Sequence, residues 1–113
     1  MHELFEKYQD IIREHEIISW ENEPTTFRFQ AKLTFKDQSL LFIKEYLFPA
    51  GRKYSYHWQN HTGQLLIRWD NAPHWYEIAT FPHHKHIGSE KNVEESTEVY
   101  LDDVLEFLRK EIK

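Results

Sequence analysis

From Thr26 to Phe35 the side chains alternate without a break. Phe27, Phe29, Ala31, Leu33 and Phe35 take one side, and Thr26, Arg28, Gln30, Lys32 and Thr34 take the other. A helix would scatter those five apolar side chains around its circumference. A strand with one buried face lines them up. The chain must therefore build a sheet that is apolar on one side and polar on the other.

The neighbouring segments extend that sheet. Lys36-Asp37-Gln38-Ser39 reads as a turn into Leu40–Phe48, whose two largely apolar faces predict a central strand. Pairing Phe35 with Leu40 sets Leu33 against Phe42 and Phe29 against Tyr46, with Glu45 near Arg28, Gln30 and Lys32. After a turn at Pro49-Ala50-Gly51, a third strand is expected over Tyr54–Gln59 and a fourth over Gln64–Asp70. Pairing Gln59 with Gln64 places Tyr54, Tyr56 and Trp58 opposite Trp69, Ile67 and Leu65, an aromatic core face. The other face then carries Lys53, Ser55, His57 and Gln59 opposite Asp70, Arg68, Leu66 and Gln64.

At the N-terminal end, Leu4, Phe5, Tyr8, Ile11 and Ile12 recur at helical spacing, with a short strand expected near Ile17 to Trp20 before Pro24. Pro73 and Pro82 bracket a loop with a short strand at Tyr76 to Phe81; His83 to Ile87 reads as extended and Gly88 to Ser96 as a polar connector. A final helix starts from Ser96 or Thr97 as N-cap, with Leu101, Val104, Leu105, Leu108 and Ile112 as its apolar stripe. The expected architecture is one α+β domain over residues 1–113: an antiparallel sheet of four to six strands with N-terminal and C-terminal helices packed on it.

Composition narrows the chemistry. There is no cysteine, which excludes disulfides and zinc-thiolate sites, and no apolar run of membrane-spanning length. The Met1-His2-Glu3-Leu4 start lacks the basic and apolar regions of a signal peptide, and the absence of cysteine makes a cytoplasmic protein the expectation. The net charge of −5 is unevenly spread. Residues 1–23 hold seven acids and two bases, residues 87–113 eight and four, while residues 24–86 hold eight bases, four acids and six of the eight histidines. Acidic ends flank a basic middle suited to an anion such as RNA, a nucleotide or an acidic partner.

His57, Arg68 and Asp70 share the polar face of the predicted hairpin. A titratable base, a permanent cation and a carboxylate suit phosphodiester chemistry; the plainer reading is surface ion pairs beside an exposed histidine. In the run Phe81-Pro82-His83-His84-Lys85-His86, an extended backbone puts His84 and His86 on one side and His83 and Lys85 on the other. His84 and His86 can chelate a divalent metal with Asp70 or His74, act as acid, base and phosphate contacts without metal, or form a structural cluster. Trp58 and Trp69 belong to the core face, leaving Trp75 as a stacking platform.

The succession Tyr54-Ser55-Tyr56-His57-Trp58-Gln59, Arg68-Trp69-Asp70-Asn71-Ala72-Pro73-His74 and Phe81-Pro82-His83-His84-Lys85-His86 resembles the TumE-type toxins of prokaryotic toxin–antitoxin pairs. The chain departs from that pattern at Trp75, where a second histidine is expected. The resemblance implies a cytoplasmic toxin with a cognate antitoxin partner, often a DNA-binding protein, and no membrane partner. Toxins of this size often cleave RNA, an analogy of class. The first expectation is a metal-independent ribonuclease. His57 and His84 are its acid/base candidates, Arg68, Lys85 and His86 contact phosphate, Asp70 orients a histidine, and His74, Trp75 and His83 help to bind substrate. The alternatives are a non-catalytic nucleotide- or protein-binding module, and a metal-dependent nuclease with Asp70, His84 and His86 as ligands.

Overall fold

The computed structural model describes residues 2–112. Its framework is a seven-stranded antiparallel meander in which every strand pairs with its neighbour in sequence. The strands are β1 (Ile12–Asn22), β2 (Phe27–Phe35), β3 (Leu40–Phe48), β4 (Gly51–Gln59), β5 (Leu65–Asp70), β6 (His84–Ile87) and β7 (Val93–Glu95). Helices α1 (His2–Lys7) and α2 (Leu101–Glu111) frame the sheet in sequence. The α+β class stands, but the sheet has seven strands rather than four to six.

The alternation in β2 does what its period requires: Phe29, Ala31, Leu33 and Phe35 are buried. They join Leu41 and Ile43 of β3, Tyr54, Tyr56 and Trp58 of β4, and Trp69 of β5 in one core. The expected stripe of α2, Leu101, Val104, Leu105, Leu108 and Ile112, closes that core together with Phe5, Tyr8 and Ile11. Trp69 meets Phe107 edge to face at 5.5 Å.

Six local expectations are corrected. The N-terminal helix stops at Lys7, residues 8–11 form turns, and the chain from Ile12 through the expected short strand runs as one strand, β1, whose bulges between Ile12 and Glu14 and between Ile17 and Ser19 blur a period-two signal. The β2–β3 register differs by one residue, with Leu33 opposite Leu41 and Phe29 opposite Glu45. Its cause is a three-residue hairpin loop: Gln38 donates to the Phe35 carbonyl, adopts a left-handed φ of 73°, and Phe35 bonds back to Ser39. That slip moves Glu45 from the polar face to the core side. The β4–β5 pairing differs by two, with Tyr56 opposite Trp69 and His57 opposite Arg68, across a bulge at Trp58/Gln59. A shift of two preserves both faces. Finally, Tyr76 to Phe81 forms turns rather than a strand, the polar connector contains β7, and α2 begins at Leu101 instead of after Ser96 or Thr97. The Asp103 carboxylate accepts the Tyr100 N–H at 2.9 Å there, supplying the first-turn acceptor.

Candidate functional site

Strand pairing arranges the side of the sheet away from the helices into rows. One row runs Lys32, Phe42, His57, Arg68, His86 across β2 to β6, each residue directly opposite the next. The adjacent row runs Gln30, Lys44, Ser55, Asp70, His84. A third begins Arg28, Tyr46, Lys53. The Arg28 guanidinium lies 5.8 Å from the ring centres of Tyr46 and Phe48, and the Lys32 ammonium 6.0 Å from that of Phe42. Bases and aromatic rings therefore interleave on this face.

The rows open into three adjoining clefts. One of about 560 Å³ is lined by Lys44, Tyr46, Lys53, Arg68, Asp70 and His74 among others. The next, about 440 Å³, is walled by Phe42, Lys44, Ser55, His57, Gln59 and Arg68. The third, about 480 Å³, includes His74, Trp75, His84, His86 and Glu90. Arg68 belongs to all three and marks their junction.

His57 is half-buried against Phe42, ring centres 6.1 Å apart. Its Nε2 donates to Gln59 Oε1 at 3.0 Å, leaving Nδ1 as the basic nitrogen. Burial lowers its pKa from 6.5 and the Arg68 charge adds to that, outweighing the Gln59 bond. The imidazole is thus held neutral, as a general base must be. Arg68 Nε donates to Asp70 Oδ2 at 3.1 Å, and its two terminal nitrogens engage both Glu90 oxygens. These carboxylates, Glu90 foremost, raise the Arg68 pKa.

Asp70, His84 and His86 are buried together at the junction of β5 and β6. His84 Nε2 lies 2.9 Å from Asp70 Oδ1, and His86 Nε2 lies 3.4 Å from Oδ2. The opposite ring nitrogens sit on main-chain carbonyls, His84 Nδ1 on Pro82 at 2.9 Å and His86 Nδ1 on Glu90 at 2.8 Å. Asp70 Oδ1 also accepts the Ala72 N–H at 3.0 Å. Trp75 covers both imidazoles, 6.4 Å from His84 and 6.1 Å from His86 between ring centres.

The fold thus brings together His57, Arg68, Asp70, His84 and His86, with His74 and Trp75 at the rim of the same clefts. It does not bring His83 and Lys85 to them. His83 Nδ1 is 2.9 Å from the hydroxyl of Tyr54, a core-face residue, and Lys85 lies opposite Trp69 in a groove shared with Phe107 of α2. Three residues of the face escaped sequence reasoning. Glu90 sits in the polar connector, 22 residues from the arginine it binds. Lys44 and Phe42 lie on a strand with two apolar faces, where the one-residue register decides what reaches the clefts.

The geometry defines a small α+β protein with an open, basic and aromatic sheet face and a histidine–carboxylate cluster at its end. A family model described as Toxin TumE matches residues 1–112, and the chain belongs to the TumE toxin family. No curated protein and no solved structure matches it. Membership makes it the toxin component of a pair, with an antitoxin as partner. Among the described residues no helix is long and apolar enough to cross a membrane.

Proposed function

We propose that this toxin acts on RNA as a small ribonuclease, and that the open sheet face is where it does so. The observation that carries the reading is the single row Lys32–Phe42–His57–Arg68–His86, which sets a stacking ring, a neutral base and a guanidinium side by side. Bases of a single strand stack on exposed rings while flanking cations follow the phosphates. In the simplest form of the reaction, protein groups suffice. His57 Nδ1 takes the proton of a ribose 2′-hydroxyl, and that oxygen attacks the adjacent phosphorus. The bond to the 5′-oxygen breaks, and the departing oxygen takes a proton from water. Arg68 stabilises the charge gathering on the phosphate oxygens. Fragments then end in a 2′,3′-cyclic phosphate and a 5′-hydroxyl.

His84 is too enclosed to meet substrate directly, at 1% exposure, so the reading gives it no proton to shuttle. The proposed partner is a DNA-binding antitoxin in the cytoplasm, and the acidic ends of the chain suit a basic surface on it. Incubating purified protein with total RNA, and with the same RNA methylated on its 2′-oxygens, tests the chemistry. Cleavage of the first alone is the expected result. Intact RNA at large protein excess, or equal cleavage of both, contradicts it.

A further inference from the structure

We infer that Asp70, His84 and His86 form a binding site for a divalent transition-metal ion of the zinc class. The inference stands on the cluster's own chemistry and does not require the ribonuclease reading. Both Nδ1 atoms face carbonyl oxygens, which only accept, so each Nδ1 carries the ring hydrogen. Both Nε2 atoms then carry a lone pair, and both lie close beside the Asp70 carboxylate. Three electron-rich ligand atoms converge within 4.8 Å of one another, out of bulk water. Burying such a set costs free energy unless a cation lies among them.

His84 Nε2 is fully enclosed and has no hydrogen-bond partner among the described residues, although an Asp70 oxygen lies 2.9 Å away. This unpartnered imidazole nitrogen, in a side chain 1% exposed, lies within 4.8 Å of ligand atoms of both His86 and Asp70. Asp70 has capacity left for a cation. Oδ1 accepts from Ala72 and Oδ2 from Arg68, so each oxygen keeps a lone pair. Arg68 in turn is neutralised by Glu90, so the cluster retains negative charge for a cation.

Bonds of about 2.05 Å in a tetrahedron give ligand separations of about 3.3 Å; His84 Nε2 lies 2.9 Å from Asp70 Oδ1, His86 Nε2 lies 3.4 Å from Asp70 Oδ2, and the three ligand atoms all fall within 4.8 Å of one another. Two imidazoles and one carboxylate favour zinc, cobalt or nickel over magnesium and calcium. The carbonyls of Pro82 and Glu90 act as the outer shell that orients such ligands. Three protein ligands would leave a zinc-class ion one ligand short of four, and the cleft that Asp70, His84 and His86 line with Trp75 and Arg68 is where an outside oxygen ligand would be supplied.

The test is metal titration of the full-length chain after dialysis against a chelator. Co²⁺ is added first, followed by its displacement with Zn²⁺, read by visible absorption. The expected result is one ion per chain for wild type. At least 100-fold weaker binding is expected for Asp70→Asn, His84→Gln and His86→Gln with circular dichroism unchanged, and wild-type affinity for His61→Gln. No binding by wild type, or equal binding by His84→Gln, overturns the site. RNA cleavage measured alongside separates the two proposals. Metal binding without cleavage leaves the site standing and removes the ribonuclease, and cleavage without binding does the reverse.

Discussion

His57 takes its character from what the ladder places on either side of it. Phe42 removes water from one flank and Arg68 adds positive charge on the other, so the folded pKa lies below the unfolded value of 6.5. Between those two values the unfolded chain binds more protons than the folded one, so this contribution to stability is lost as pH falls below 6.5. Thermal melts from pH 7.5 down to 5.5 are expected to show a smaller loss of Tm for His57→Gln than for wild type. Parallel losses would contradict the assignment. Glu90 makes a second case. Its side chain is 62% exposed yet both oxygens hold Arg68, so an incoming phosphate must replace it. Glu90→Gln is expected to tighten RNA binding several-fold at low salt, with stability changed by less than about 0.5 kcal/mol; filter binding and urea melts check both. His57, Arg68 and Asp70 were legible in the sequence because period two survives any even shift of register. Glu90 was not, since nothing in a polar connector marks which residue will meet a strand.

Among elements, the segment before α2 shows how the helix is tied to the sheet. Residues 96–100 belong to neither strand nor helix, and Arg52 of β4 grips them, donating to Glu98 and to the Val99 carbonyl, both at 3.0 Å. Its guanidinium lies 4.2 Å from the Tyr54 ring centre and 4.1 Å from that of Tyr100. On the sheet side it donates to the Tyr56 hydroxyl at 2.8 Å, and that hydroxyl donates to Glu45 at 2.5 Å. Burial pushes the Tyr54 hydroxyl up to about 12 and the Tyr56 hydroxyl well above its usual range, so both stay protonated. Arg52→Met keeps the stem but leaves Glu45 on the core side without its cation. A loss of about 2–3 kcal/mol is expected in urea unfolding, and a loss under 0.5 would show that α2 is held by its apolar stripe alone. That stripe was plain in the sequence because a regular helix preserves its period over three turns. The neighbouring strands hid more. Bulges interrupt β1, and a single left-handed residue, Gln38, sets the β2–β3 register that puts Glu45 beside Arg52.

Across the whole molecule, folding divides one chain into two unlike surfaces. The helices take the apolar face, and the open face gathers Arg28, Lys32, Lys44, Lys53 and Arg68, five of the eight bases of the central segment. If these follow the phosphates of a single strand, each lost contact weakens binding to all sequences alike. Lys44→Gln and Lys53→Gln are each expected to reduce the slope of log affinity against log salt by about 0.7; an unchanged slope would move the RNA elsewhere. The uneven charge along the chain announced a basic region. Its concentration on one face depended on the register of three hairpins, which only the fold supplies. The rate of RNA cleavage by His57→Gln, compared with wild type at matched Tm, decides whether His57 is the general base. A loss of about 10²-fold or more is expected, with RNA affinity little changed. Wild-type cleavage by His57→Gln would contradict that role.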